Sequence, residues 1–243
     1  MRLSSIAVPL FLFSFTTWLG AVPSATIQLG ASVENVRFEH DSKVAFVRVV
    51  NRSQKEITAI NLSIDITFAG GKVDHFEQML DLLPLIIARQ TDTGVSGEGS
   101  LAPGESREIR VDAVSTIQSI HARVDMVTYL DLSAEIDENQ DALNRLVSGR
   151  NGSARAAQDI AAVVSEAVAS SVTPDPSGMA VRQLRKLLDS AVSQHAGERE
   201  LELRAAISDL QSNGVKADLK GYARRKNDAA KVISVHANVR RVD

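Results

Sequence analysis

The chain contains no cysteine among its 243 residues. A thiolate is the nucleophile of cysteine enzymes and the ligand of iron–sulfur clusters and many structural zinc sites, so these chemistries are excluded. Disulfide bonds are excluded as well, even though an exported protein is free to form them. The fold must therefore be held by packing, and the chain is long enough to bury a sizeable core.

Aromatic residues are also scarce, at 4% of the sequence. The single tryptophan, Trp18, lies in the apolar N-terminal segment. Sugar-binding platforms rely on exposed aromatic rings, and protein interface hot spots favour Trp and Tyr. The remainder of the chain has few residues for either role: Phe38, Phe46, Phe68, Phe76, Tyr129 and Tyr222.

Catalytic and metal-binding motifs are missing too. The sequence has neither H-E-x-x-H nor G-x-S-x-G. His121 and Asp125 share one face of a predicted strand, but Arg123 lies between them and opposes a cation. The glycine-rich residues 94–99 lack the strand–helix frame of a phosphate loop. We therefore predict no catalytic, cofactor-binding or metal-binding residue, no cofactor and no enzyme activity.

The N-terminus is typical of a secretory signal. Arg2 precedes a mostly apolar run at residues 6–19, and small residues then lead to Ala25. The run is too short for a bilayer-spanning helix and contains Pro9, which disfavours the alternative of a retained anchor. We predict cleavage after Ala25 and export to the periplasm or the extracellular space. Loss of residues 1–25 removes one positive charge and changes the formal net charge from −3 to −4.

Residues 60–68 alternate strictly between apolar and polar side chains. Because successive side chains of a strand point to opposite faces, this pattern predicts a sheet with one buried face. The outward residues Asn61, Ser63, Asp65 and Thr67 are expected to be solvent surface. Similar patterns predict strands at residues 34–39, 43–50, 57–68, 107–114 and 120–130.

Helical spacing interrupts these strands after Gly71. Asp74 and Glu77 resemble a capping box, and the apolar residues that follow predict a helix over residues 75–83. Pro84 is expected to end or kink this helix. An apolar strand at residues 82–88 is the alternative. Residues 91–100 are rich in Gly and Ser and predict a loop.

Four features of the first half resemble one known class of protein: V-x-N-x-S at residues 49–53, the alternating Ile60-x-Leu62-x-Ile64, the L-A-P-G-E-S turn at 101–106 and the V-D-M-V strand at 124–127. Together they resemble bacterial exported immunoglobulin-like or fibronectin-like sandwiches over residues 30–132. The Cys–Trp–Cys core of antibody domains is absent, so the resemblance implies a generic sandwich. Such modules mostly bind, space or support other molecules.

The second half has helical periodicity. Ser133 is predicted to cap a helix that runs to Val147, with Gly149 after its end and a turn at residues 150–152. Further helices are predicted at residues 154–172, around Leu184 and at 198–211. The carboxylates Glu135, Asp137, Glu138 and Asp141 are assigned to the first turns of a helix, where its dipole favours negative charge.

The C-terminal residues 219–243 have an unusual excess of positive charge. They contain seven basic residues, and Asp228 is the only acidic residue before Asp243. One interpretation is contact with a polyanion such as acidic lipid. The other is a solvated helix end and tail. The candidate polyanion-binding residues are Lys220, Arg224, Arg225, Lys226, Lys231, Arg240 and Arg241.

These observations predict an α+β chain in which an N-terminal Ig-like antiparallel β-sandwich precedes a small α-helical bundle. The predicted divisions are a signal peptide at 1–25, the sandwich at 26–132, the bundle at 133–218 and a basic helix or tail at 219–243. We predict a secreted or periplasmic, non-enzymatic binding or structural module whose partner is another envelope or extracellular protein. A membrane-surface or polyanion adaptor, and a hydrolase with a site in residues 91–100, are the alternatives. Nucleic acid is not an expected partner.

Overall fold

The computed structural model describes residues 29–39, 42–91, 99–137, 140–170 and 174–242. The predicted signal at 1–25 and most of the predicted loop at 91–100 lie outside these ranges. The strands are β1 (Ala31–Phe38), β2 (Val44–Asn51), β3 (Ile57–Phe68), β4 (Val73–Asp81), β5 (Ser106–Asp112), β6 (Ile117–Tyr129), β7 (Ser133–Ile136) and β8 (Arg240–Arg241). The helices are α1 (Leu83–Thr91), α2 (Gln140–Ala169), α3 (Pro176–Ser193), α4 (Gly197–Gln211), α5 (Asn213–Ala217) and α6 (Leu219–His236).

The strands form two sheets, with the orders β1-β2-β5 and β4-β3-β6-β7-β8. Neighbouring strands are antiparallel, except for the short parallel pair β7 and β8. Both sheets contribute side chains to one hydrophobic core, with Val47 and Ile109 from the first sheet and Leu62 and Ile64 from the second. The mixed α+β class is confirmed, and α2 to α6 follow the seven strands of the first half.

Strand β3 is an interior strand of the larger sheet and confirms the strand predicted at residues 57–68. It pairs with β4 on one side and β6 on the other, and Ile60, Leu62, Ile64 and Ile66 are at most 1% exposed. Each such side chain stabilises the fold by about 1.5–3 kcal/mol relative to exposure. A slip of one residue would turn this row to the opposite face, so burial fixes the register.

The outward face of β3 differs from the prediction. Asn61 and Ser63 are only 1% and 5% exposed, although Asp65 is exposed as expected. The first turns of α2 cover this end of the sheet, where Leu146 packs with Met126. The prediction was wrong because a polar side chain is compatible with a covered face when a helix packs over it.

Strand β4 replaces the helix predicted at residues 75–83. Phe76 and Leu80 pack into the core between the sheets, while Met79 packs on the opposite face with α2. His75 and Glu77 share that opposite face. A strand with apolar residues on both faces produces a spacing that imitates a helix, and that is the physical reason for the error.

Helix α1 begins where Pro84 was expected to end a helix, so the strand predicted at residues 82–88 is also wrong. Proline is tolerated in the first turn because its missing N–H would have no partner within the helix. Asp81 supports this start, since its Oδ1 accepts a hydrogen bond from the backbone N–H of Leu83 at 3.0 Å.

Helix α2 runs without interruption for 30 residues, through the predicted break at 149–152. Gly149 and Gly152 lie inside it and face α4, where added Cβ atoms would approach Glu198. Glycine lowers helix propensity by about 1 kcal/mol, but here it permits a close helix–helix contact. Tertiary packing therefore overrides the local signal for a turn.

Residues near 133 also differ from the prediction. Ser133 begins β7 instead of capping a helix, Glu135 lies in that strand, and only Asp141 of the described carboxylates falls in the first turn of α2. β7 pairs with β6, and β8 from the C-terminal segment pairs with β7. The same sheet thus receives strands from both sides of residue 132, while the division into 26–132, 133–218 and 219–243 stays a prediction.

Helices α3, α4 and α6 pack on α2. The predicted helices around Leu184 and at 198–211 are confirmed as α3 and α4. A second core joins α2, α3, α4 and α6 through residues such as Ile160, Leu184 and Leu203. α6 is an integral part of this core because Leu219, Tyr222 and Ala223 are buried in it.

Candidate functional site

A cavity of about 790 Å³ lies where the five-stranded sheet meets the helices. β4 and α1 line it from the side of the sheet, and α2, α4 and α6 line it from the other. We call it the junction cavity. Its volume falls within the roughly 300–1,000 Å³ of small-molecule pockets, and such pockets favour boundaries between structural units.

The junction cavity exists because one face of α2 carries small side chains. Gly149, Ser153 and Ala157 follow one another at intervals of four, so they lie on the same helix face. A Cβ atom on Gly149 would lie 3.4 Å from Cγ of Glu198 on α4. The small side chains let α4 approach and leave space that larger side chains would fill.

The floor of the cavity is apolar. A separate hydrophobic cluster joins α1 to α2 and α6, and part of it faces the cavity. Ile87 and Ile233 are only 7% and 8% exposed, so this part of the lining is largely shielded from solvent. The apolar floor comprises Leu83, Pro84, Ile87, Leu146, Ala229 and Ile233.

Arg150 lies at the inner end of the cavity and is 3% exposed. Its Nε and Nη2 donate to the two carboxylate oxygens of Asp81 at 3.0 and 2.9 Å. Its Nη1 donates to the backbone carbonyl of His236 at 2.8 Å. Bidentate pairing of this kind is strong and directional, so Arg150 ties β4, α2 and the end of α6 together.

The His236 side chain is buried beside this ion pair. Burial lowers the pKa of His236, and the positive charge of Arg150 lowers it further, while Asp81 acts in the opposite direction. Its Nδ1 makes no hydrogen bond to the described residues. The arrangement favours a neutral imidazole.

The rim of the cavity carries charges of both signs, with cations from α2 and α6 and carboxylates from α4. Arg145 pairs with Glu77, and Arg225 lies 3.3 Å from Asp218. Lys226 lies 3.5 Å from Glu202 and 5.7 Å from the centre of the Tyr222 ring.

Tyr222 contributes its ring to the cavity and its hydroxyl to the helix core. The hydroxyl donates to Asp209 at 3.1 Å. Burial raises the pKa of Tyr222, and the carboxylate of Asp209 raises it further. The phenol is therefore neutral and structural, and the ring is held in place beside Lys226.

The seven candidate polyanion-binding residues lie in three places. Arg225 and Lys226 line the junction cavity, whereas Lys220 and Arg224 line a second cavity of about 680 Å³ between α2 and α6. The others are exposed: Lys231 pairs with Asp228, and Arg240 and Arg241 form β8.

The histidines form no metal site in the described part of the chain, where no three His, Asp or Glu side chains are arranged to hold an ion. His75 and His121 lie on either side of Asp65 in neighbouring strands, and Nδ1 of His75 is 2.7 Å from Oδ1 of Asp65. His40 lies outside the described residues.

Asp125 is only 3% exposed, whereas His121 in the same strand β6 is exposed. Burial raises the pKa of Asp125, although the guanidinium of Arg123 at 3.1 Å opposes the change.

The sequence interpretation missed the two residues that hold the junction together, Asp81 and Arg150. Residues 150–152 read R-N-G, which suggested a turn, and Asp81 fell in a predicted helix. The only sequence signal for Arg150 is its position on a helical stripe between Gly149 and Gly152. That signal can be used only if the helix is assumed to continue through both glycines.

Comparison with known proteins gave no relative: no family model, no curated protein and no solved structure matches the chain. Among the described helices, none combines the length and apolar character needed to cross a membrane. The function is therefore inferred from the geometry of the junction cavity.

Proposed function

We propose that this chain is an exported, non-enzymatic binding module whose ligand occupies the junction cavity. The observation that carries the proposal is the cavity itself, about 790 Å³ in volume with an apolar floor and a charged rim. Apolar pockets with a few convergent polar groups are the usual form of binding sites. A free amphiphile or an apolar segment of another envelope or extracellular protein would match this lining.

The proposal has two further parts, one concerning the N-terminal residues and one concerning the two sheets. The N-terminal pattern supports a signal peptide at residues 1–25, and the mass of the secreted chain would test cleavage after Ala25. The shared core between the two sheets supports an Ig-like or fibronectin-like sandwich as the scaffold of the first half. In this scheme the scaffold presents β4 and α1 to the helices and so forms one wall of the cavity.

Fluorescence titration with 1-anilinonaphthalene-8-sulfonate tests the binding proposal, since this dye gains emission in apolar sites. Ser153 on α2 lines the cavity, whereas Ser148 on the same helix is exposed outside it. Ser153→Phe should fill the cavity and weaken dye binding about tenfold or more, because the ring occupies the apolar space. Ser148→Phe is the matched control and should bind as the parent does. Equal binding by both variants would contradict the proposal.

A second candidate function, an adaptor for anionic surfaces, is favoured by the other cavity. Lys220 and Arg224 line it together with small and neutral residues, and its lining contains no carboxylate. Deleting residues 219–243 would remove α6 from the helical core, so charge-neutralising substitutions give the cleaner test. Lys220→Gln with Arg224→Gln should reduce binding to phosphatidylserine vesicles at low salt. Unchanged binding would exclude this candidate.

A further inference from the structure

Lys226 differs from the other cations around the junction cavity in how its charge is used. Its side chain is 21% exposed, whereas those of Arg145 and Arg225 are 52% and 47% exposed. An ammonium group has three hydrogen-bond donors. Lys226 Nζ makes no hydrogen bond to any residue in the described ranges, and its nearest carboxylate oxygen, on Glu202, is 3.5 Å away.

The distance to Glu202 is too long for a strong charge-assisted hydrogen bond, which is about 2.7–2.9 Å. The Tyr222 ring interacts with the positive charge of Lys226, but it does not accept a hydrogen bond from the ammonium group as an oxygen atom would. The donors of Lys226 are thus available to an acceptor inside the cavity.

The remaining cations are occupied. Arg150 is saturated by Asp81 and by the carbonyl of His236. Arg145 and Arg225 have carboxylate partners on Glu77 and Asp218, neither of which lines the cavity. Lys226 also has a carboxylate neighbour, Glu202, which lines the cavity, but their 3.5 Å ion pair contains no hydrogen bond. Lys226 is therefore the cation best placed to receive an anionic group.

The apolar floor and Lys226 belong to the same cavity, and Ala229 and Ile233 follow Lys226 along α6 at intervals of three and four residues. A helix places residues at this spacing on one face. A ligand whose anionic head meets Lys226 therefore finds an apolar strip extending from that point toward α1.

We propose that the junction cavity binds a single-chain amphiphile with a carboxylate head. The head accepts hydrogen bonds from Nζ of Lys226, and the alkyl chain lies on the apolar floor. This inference rests on the proposed binding function and specifies its ligand class. No covalent step is involved.

Isothermal titration calorimetry of the purified chain with dodecanoate tests the proposal, with dodecylammonium and acetate as comparison ligands. We expect dodecanoate to bind, acetate to show no binding because it lacks the chain, and dodecylammonium to bind at least about tenfold more weakly than dodecanoate. Decanoate should bind roughly tenfold more weakly than dodecanoate, because each buried methylene contributes to affinity.

Substitutions of Lys226 test whether this residue binds the head group of the ligand. Lys226→Gln should weaken dodecanoate binding about tenfold or more and should strengthen dodecylammonium binding, because it removes a like charge and leaves Glu202 without its cation. Lys226→Arg should retain most of the affinity for dodecanoate. Lys186→Gln, on the exposed surface of α3 and outside the cavity, is the matched control and should have no effect. Circular dichroism and thermal melting establish that each variant is folded.

The outcomes separate the two proposals. If both amphiphiles bind equally and Ser153→Phe abolishes both, the binding function stands and the carboxylate assignment is overturned. If neither amphiphile binds but the dye still binds and Ser153→Phe weakens it, the binding function stands and the amphiphile assignment is overturned. If Ser153→Phe leaves both dye and dodecanoate binding intact, the cavity is not the binding site and both proposals fail. Strong binding of dodecanoate to Lys226→Gln would also overturn the carboxylate assignment.

Discussion

The sheet core and the helical core of this protein are built from different side chains. Alanine provides five of the 13 buried residues in the helical core but three of the 19 in the sheet core. Large aliphatic side chains fill the space between two sheets, whose separation is set by the side chains themselves. Small side chains bring helices close together, and they leave a void wherever a third element holds the helices apart. The difference is consistent with the position of the junction cavity, where α2 presents small side chains to α4.

The junction itself is held by polar groups. The ion pair of the buried Arg150 with the partly exposed Asp81 joins the sheet to α2, and the carbonyl of His236 adds the end of α6. The two cores thus depend on apolar packing, whereas their connection also depends on the ion pair of Arg150 with Asp81 and on the more exposed pair of Arg145 with Glu77.

Breaking that ion pair should have the largest effect on stability. Arg150→Ala leaves Asp81 with an unpaired charge and should lower the free energy of unfolding by about 3–5 kcal/mol, measured by urea denaturation. Arg155→Ala, exposed on the same helix, is the control and should change stability by less than about 0.5 kcal/mol.

A double variant sharpens this test. Arg150→Met combined with Asp81→Leu removes both charges and should recover most of the lost stability, because replacing both members of a buried pair with apolar groups is often neutral. If the single variant Arg150→Ala is as stable as the parent protein, the junction does not depend on this ion pair.

Truncations in the two cores compare them directly. Ile64 in the sheet core and Leu184 in the helical core are both 0% exposed. Each change to Ala should cost about 2–5 kcal/mol, and Ile64→Ala should cost more because paired strands on both sides prevent collapse into the void. Chemical denaturation of both variants measures the difference, and a larger loss for Leu184→Ala would reverse the comparison.

Glycine-to-alanine substitutions should change the stability of the protein in opposite directions in the two regions. Gly30, beside β1, packs against Tyr129, so Gly30→Ala forces the ring to move and should destabilise by about 1–3 kcal/mol. A Cβ atom on Gly152 in α2 would meet its nearest neighbours at 3.7 and 3.8 Å, which is ordinary contact. Gly152→Ala should therefore stabilise the protein by about 0.5–1 kcal/mol, seen as a raised Tm.

The elements within each core were easier to predict from the sequence than those at the junction of the two cores. Strand β3 was predictable because strict alternation of apolar and polar residues matches only the two-residue period of a strand, and α3 and α4 were predictable from their apolar stripes. Strand β4 was not, since Met79 is apolar on the face that α2 covers, and this covering helix is distant in sequence.

The junction cavity was equally inaccessible from the sequence. Gly149 and Gly152 signal a turn when considered locally, and their role depends on the approach of α4. The basic residues of α6 were identified as a charge anomaly, but their division between two cavities follows from how α6 packs on α2.

The smallest predicted effect is a pH dependence at the junction. Because the pKa of His236 is lowered in the folded protein, the unfolded chain binds the proton more readily. Stability from this residue is present above the ordinary histidine pKa of about 6.5 and is lost as the pH falls below it. Thermal melts between pH 7.5 and 5 should show a steeper decline for the parent than for His236→Gln. His121→Gln, which changes an exposed histidine, should follow the parent.

The most direct measurement of the central claim is methyl NMR of the isoleucines during titration with dodecanoate. Ile87 and Ile233 line the junction cavity, whereas Ile64 and Ile109 lie in the sheet core. The account predicts that the methyl signals of Ile87 and Ile233 shift with a common Kd while those of Ile64 and Ile109 stay in place. Shifts confined to the sheet core, or the absence of any shift at Ile87 and Ile233, would contradict a binding site at the junction.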